Sequence, residues 1–278
     1  MTKNRILILT ALKAEASPLI QYYRLRKKEF IESRSLYCGR SITLLITGVG
    51  NTNVQNTLQN YCNQQQIRQH DYIVNIGVAG GNADLGKIGD LFFINKIICE
   101  TDGTTYYPNV LFKHGINEAS LTTVKNPVVD GNDKYDGLVD MEAMEIRKIL
   151  KSIIPNDRFI FLKIISDYMD LDTVSFNTES ISSLITLNLK SINSFLNQFK
   201  ILQDLEQPIL SNGDGDWINL IKDQLGLTKS QYQQLIRATK GFRLRNPELH
   251  CPVVQAEMPE SKLIRNQMFK TLCDKLSA

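Results

Sequence analysis

Cysteine and histidine are scarce, with five and three residues in a chain of 278. Cys38, Cys62, Cys99, Cys251 and Cys273 lie far apart and are odd in number. They match neither a zinc knuckle nor a redox pair, and read as free thiols of a reducing compartment. His70, His114 and His250 have no metal-ligand spacing either, so no metal is expected. A long apolar run is also missing. The first, Ile6 to Leu9, is short and soon followed by Lys13 and Glu15, unlike a secretory signal. No segment approaches the ~20 residues a membrane span needs. Charge of one sign is lacking too: 32 basic against 29 acidic residues leave +3, which gives no general reason to expect nucleic acid or membrane as partner. These absences together point to a cytoplasmic globular protein.

The chain does contain short β-rich runs alternating with helical patterns. Strands are expected at 5–9, 41–47, 71–77, 90–98, 120–124 and 159–165. Helices are expected at about 14–23, 52–66, 138–154 and 180–203, with a loop over 100–118. Several strands are apolar on both faces, which predicts an α/β fold, a three-layer sandwich around a mixed, mainly parallel central sheet. In such sheets ligands bind beyond the carboxyl ends of the strands. Polar and glycine residues gather there: Thr10, Gly48, Gly77 to Gly81, and Ser166-Asp167.

After about residue 205 the texture changes. Pro208 and Ser211-Asn212-Gly213-Asp214-Gly215 resemble a linker. Residues 1–205 are read as one domain and 206–278 as a helical C-terminal extension. Its basic residues 222, 229, 237, 240, 243 and 245 read as the solvated face of an amphipathic helix packed on the core or at a subunit interface.

Four stretches are informative as an ordered set: Thr10 to Glu15; Gly48-Val49-Gly50; Asn75 to Gly81 with Ile88-Gly89-Asp90; and Val139-Asp140-Met141-Glu142-Ala143 with Ile165-Ser166-Asp167. A dinucleotide fingerprint fails, because Asn53 stands where its third glycine belongs. In this order the stretches resemble the nucleoside phosphorylase superfamily, in particular its methylthioadenosine/S-adenosylhomocysteine nucleosidase branch, over roughly residues 4–200.

The resemblance implies cleavage of a purine-type N-glycosidic bond. Asp167 would protonate the leaving base, with Ser166 beside it, and Glu15 would activate water. Glu142 would hold ribose hydroxyls and favour the cationic sugar, with Met141 packed against the ribose. Gly48, Val78, Ala79 and Gly80 would line the substrate, and Lys163 stands where the family carries an arginine. A homodimer or larger homo-oligomer is implied, with a nucleoside as substrate and no cofactor.

Each residue also has a plainer reading: Glu15 a solvated first-turn glutamate, Asp167 a helix N-cap, Glu142 an exposed helix face, the glycines at 77, 80 and 81 a tight turn. The first loop carries Glu15 and no arginine, which favours water over phosphate as nucleophile. A phosphorylase using inorganic phosphate and a non-catalytic nucleoside-binding protein are the alternatives. The family's base-stacking phenylalanine has no counterpart in Thr123 to Val128; Tyr106 and Tyr107 are candidate lid residues. With no ligand cluster present, nucleoside turnover by the purified chain is predicted to survive exhaustive chelation. Activity lost with chelator and restored by zinc or magnesium would contradict this.

Overall fold

Short runs of Ile and Leu bounded by polar residues become strands because both of their faces are covered. The computed structural model describes residues 6–28, 35–64, 72–109, 112–130, 134–170, 177–205, 209–253 and 259–277. In chain order the elements are β1 (Ile6–Thr10), α1 (Lys13–Tyr22), β2 (Arg26–Lys28), β3 (Leu36–Cys38), β4 (Ile42–Ile46) and α2 (Asn51–Gln64). Then follow β5 (Tyr72–Gly80), β6 (Leu91–Cys99), β7 (Thr105–Tyr106), β8 (Asn117–Thr123), β9 (Leu138–Asp140), α3 (Ala143–Leu150) and β10 (Phe159–Asp167). The helices α4 (Thr178–Leu205), α5 (Asn212–Leu225), α6 (Lys229–Arg245) and α7 (Lys262–Ser277) complete the chain.

Strands β4, β1, β5 and β10 are neighbours and all parallel. β6 runs antiparallel to β10, and β8 and β9 follow it parallel in turn. β9 then meets β5 again, antiparallel, at Gly80 and Val139. The pairings among β5, β10, β6, β8 and β9 therefore form a closed circuit. That closure brings the residues after β9 against the carboxyl ends of β5 and β10.

Alternate strand residues divide between two cores. Leu7, Leu9, Leu45, Ile73, Phe159 and Phe161 pack with Val54 and Leu58 of α2 and with Ile146 and Leu150 of α3. Ile6, Ile8, Leu44, Val74, Ile160 and Leu162 pack with Leu19 of α1 and with Ile192, Phe195 and Phe199 of α4. Each such side chain contributes about 1.5–3 kcal/mol on burial, so the period-two alternation accounts for helices on both faces.

The structure departs from the sequence expectations at several points. β5 continues three residues past Gly77, so Gly77 to Gly80 lie in a strand and not in a turn. The expected helix over 138–154 is a strand, a break and a shorter helix. Asp140 causes the break: its Oδ2 accepts from Ala143 N at 3.0 Å and opens α3 there. The loop expected over 100–118 holds β7 and the start of β8. The short strands β2 and β3 carry no alternation long enough to read. Arg5, placed at the start of the first strand, lies outside the described residues.

The chain divides into two compact units, Met1–Ile201 and Leu202–Ala278. The second holds three helices, α5 to α7, around its own core of Ile218, Ile221, Leu225, Leu235, Phe242, Phe269 and Leu272. Among the described residues no helix is long and apolar enough to cross a membrane.

Packing between β8 and β9 gives a direct test. A Cβ on Gly137 would meet Ser120 Oγ at 2.2 Å and the Ser120 carbonyl oxygen at 2.5 Å, whereas one on Gly115 meets nothing within 4 Å. Gly137→Ala is therefore expected to lower stability by about 1–3 kcal/mol and Gly115→Ala to leave it nearly unchanged. Equal melting temperatures for the two variants would refute the close approach.

Candidate active site

Glu15 sits in the first turn of α1, yet it is 2% exposed, which removes the solvated-glutamate reading. Its Oε2 accepts from Ala11 N at 2.8 Å and Leu12 N at 2.9 Å, and its Oε1 accepts from Val78 N at 2.9 Å. The side chain thus pins the loop after β1 to the end of β5. Gly77 makes this possible: a Cβ there would stand 2.7 Å from Glu15 Oε1. Burial pushes the Glu15 carboxyl up, while the three amide donors and the Lys163 charge pull it down, leaving it above its usual value.

Glu142 is buried as well, at 7% exposure, so it is no exposed helix face. It precedes α3 and accepts from Gly50 N at 2.8 Å. Gly50 has φ +81, a conformation glycine tolerates without strain. Burial and the neighbouring Asp140 carboxylate push Glu142 up to about 7, against the pull of Lys163.

Lys163 belongs to β10 and takes an apolar residue's place between Phe161 and Ile165. It is 1% exposed and bonds Asp140 Oδ2 at 2.9 Å. Burial acts to discharge it, but Asp140, Glu142 and Glu15 together keep its pKa above the ordinary lysine value. Asp140 is further held by Thr123 Oγ1, which donates to its Oδ1 at 2.7 Å.

Asp167 ends β10. Its Oδ2 accepts from Ser166 Oγ at 2.6 Å and its Oδ1 from Met169 N at 2.9 Å. No helix starts at Asp167, so the N-cap reading falls. Ser166 Oγ also lies 3.2 Å from the Ala79 carbonyl oxygen. Met169 is buried with φ +57, an uncommon conformation for a side-chain-bearing residue. Its Cγ would be 2.6 Å from a Cβ on Gly80. The glycines at 77 and 80 therefore serve close approach of side chains and not a turn.

These elements enclose a cavity of about 330 Å³ at the carboxyl ends of β1, β5 and β10, within the size range of small-molecule sites. Glu15, Val78, Ala79, Gly80, Met141, Glu142, Ser166 and Asp167 all line it. Two expected site residues do not. Gly48 (φ +86) donates its N–H to the Ala11 carbonyl and supports the loop from behind, and Lys163 stands behind the carboxylates. Tyr106 and Tyr107 are also absent from the lining; Tyr106 OH donates to the Asn156 carbonyl.

Sequence reasoning gave Asp140 and Gly50 no role, although both stand in the motifs it quoted, and missed Met169 and the wall formed by Val124, Pro127 and Val128. The signal for Asp140 was present, an acid at the end of the apolar pair Leu138-Val139. Val124 and its neighbours come from the very segment that lacks an aromatic residue. Among the described residues no group of three His, Cys, Asp or Glu side chains is arranged to hold a metal ion.

No protein-family model matches the chain, and no curated protein matches it. Solved structures do. The 5′-methylthioadenosine/S-adenosylhomocysteine nucleosidase of Helicobacter pylori is 14% identical, with 71% of this chain and 100% of that one covered at a TM-score of 0.57. The Streptococcus pneumoniae nucleosidase is 18% identical, with 69% and 98% covered at 0.59. The futalosine hydrolase of Helicobacter pylori is 14% identical, with 70% and 98% covered at 0.57. The fold is that of the methylthioadenosine/adenosylhomocysteine nucleosidases. At these identities the likeness to the nucleosidases is one of fold, and the chemistry rests on the cavity itself.

Glu142 has a consequence for stability. Its folded pKa of about 7 lies above the ordinary 4.5, so the folded state holds a proton that the unfolded state has released. Stability therefore falls as pH rises from 4.5 through about 7. Glu142→Gln is expected to flatten this decline, which melting temperatures of both proteins from pH 5 to 8 would reveal. Parallel curves would show that Glu142 titrates normally.

Proposed function

We propose that the chain is a hydrolytic nucleosidase cleaving the N-glycosidic bond of a purine-type nucleoside with an apolar 5′ substituent. The observation that carries this reading is the convergence of Glu15, Glu142 and Asp167 on one cavity. Such a bond develops positive charge on the ribose and negative charge on the departing base. Asp167 acts as the acid that protonates the base, with Ser166 donating to its Oδ2 and orienting the group. Glu142 faces the sugar, accepts from its hydroxyls and favours the cationic ring electrostatically.

Water adds to the anomeric carbon while Glu15 receives its proton. The three amide donors on Glu15 occupy three of about four acceptor positions of the carboxylate. One lone pair remains on Oε1 for a water.

Water is favoured over phosphate by the charge of the lining. The described lining residues carry four carboxylates, Glu15, Asp140, Glu142 and Asp167, and no Lys or Arg. An inorganic phosphate would need cationic partners there. The apolar wall of Val124, Pro127, Val128, Met169 and Ile181 suits a base face and a thioether-like 5′ group. The fold neighbours are named for methylthioadenosine, adenosylhomocysteine and futalosine. One of them, an Asp-to-Asn variant of the Helicobacter pylori enzyme, holds 5′-methylthioadenosine in its active site.

The roles separate by substrate. Asp167→Asn keeps an oxygen for the Met169 amide and so retains the fold. Turnover of methylthioadenosine is expected to fall by roughly 10²–10⁴ with little change in binding. A nitrophenyl riboside, whose leaving group needs no proton, is expected to be spared. Glu142→Gln should slow both substrates. Equal losses on both substrates for Asp167→Asn, or none on methylthioadenosine, would remove Asp167 from the role of acid.

A further inference from the structure

The second unit carries a charge pattern that the proposed nucleosidase chemistry does not use. Averaged over the chain, the net charge of +3 hides it. Helix α6 holds Lys229, Arg237, Lys240, Arg243 and Arg245 and no acidic residue. Arg243 is taken up by Asp214, which it grips through Nε and Nη2 at 2.6–2.9 Å. The other four are exposed.

The geometry orients this charge. Leu235, Thr239 and Phe242 of α6 are buried, and Leu235 and Phe242 pack on Ile218, Ile221 and Leu225 of α5 and on α7. The opposite face presents Lys229, Gln233, Arg237 and Lys240 in a stripe at spacings of four, four and three, flanked by Ser230 and Gln234, all exposed. Helix α5 enters α6 through three residues, Gly226 to Thr228. Gly226 is left-handed (φ 57, ψ 46), and Thr228 caps α6 by accepting from Gln231 N. A glycine-bearing three-residue turn between two helices is shared by αα-hairpins and by the helix-turn-helix units that present a second helix to a DNA groove.

We infer that α6 binds duplex DNA through this face. Lysine and arginine neutralise phosphates, and Arg and Gln can pair in bidentate fashion with guanine and adenine edges in the major groove. The apolar side of α6 is consumed by the unit's own core, which is the opposite of a membrane-surface helix, whose apolar face must be free. The exposed carboxylates of the described unit that would oppose a phosphate backbone, Asp216, Asp223, Glu248, Glu260 and Asp274, all lie outside α6.

The test is fluorescence anisotropy of the full-length chain with a labelled 30-base-pair duplex of mixed sequence. Saturable binding with Kd of about 10⁻⁵ M or tighter at 50 mM salt is expected. With Lys229, Arg237 and Lys240 on phosphates, affinity should fall roughly 40-fold between 50 and 200 mM salt. The double variant Arg237→Glu, Lys240→Glu should lose at least ~10-fold in affinity at 50 mM salt while its circular dichroism and melting temperature stay unchanged. Arg237→Lys with Lys240→Arg, which keeps both charges, should bind nearly as the parent does. The inference is overturned by any of four results: no saturable binding at 50 mM salt, affinity indifferent to charge reversal, equal affinity for single strand and duplex, or binding to phosphatidylserine vesicles in place of duplex.

Discussion

One buried ammonium holds the candidate site together. Lys163 stands in the middle of β10 and is almost fully removed from water. It faces Asp140 directly, with the charges of Glu142 and Glu15 also acting on it. An uncompensated charge in such a place costs several kcal/mol, and breaking a buried pair by removing one partner costs about 3–5 kcal/mol. The strands that supply these groups are therefore coupled. β10 brings the ammonium, β9 the carboxylate of Asp140, the first turn of α1 brings Glu15 and the corner after β9 brings Glu142. Burial, and next to it the neighbouring Asp140 carboxylate, push Glu142 up to about 7, since one ammonium cannot offset three acids.

The same cluster explains the backbone around it. Asp140 binds Lys163 and also opens α3 through Ala143 N. Thr123 donates to Asp140 and accepts from Met144 N at 3.1 Å. A single carboxylate thus fixes the strand-to-helix corner that carries Met141 and Glu142 into the cavity. On the other side, Gly77 and Gly80 lack the side chains that would collide with Glu15 and Met169. Close approach of the Glu15 carboxylate and the Met169 side chain to β5 is achieved there by the missing Cβ atoms.

Two different charge patterns are thus found on separate units of one chain. The first unit gathers acids at strand ends, around a cavity whose described lining has no cation. The second presents Lys229, Arg237 and Lys240 on the outward face of α6 and pairs Arg243 with Asp214, largely removing both from solvent. An acid-lined cavity favours a neutral substrate whose reaction develops positive charge, and a basic helical face favours a polyanion.

Strand positions, their two-sided burial and the order of the motifs could be read from local periodicity, because each depends only on residues close in sequence. The carboxylates Glu15, Glu142 and Asp167 could be named only through the resemblance that the ordered motifs bear to the nucleoside phosphorylase superfamily. Their partners could not. Whether Gly77 made a turn or made room for Glu15 depended on a residue 62 positions away in the chain. Whether Lys163 reached the cavity or stood behind it depended on Asp140 arriving from β9 across the closed circuit of strands. Helix 138–154 was misread because a helical period persists through Leu138 and Val139, while the β8 pairing and the Asp140 bond to Ala143 N decide otherwise. Local pattern determined which residues were polar at strand ends; only the tertiary structure decided which of them share a proton, a charge or a wall, since those interactions act through space between segments that the sequence keeps far apart.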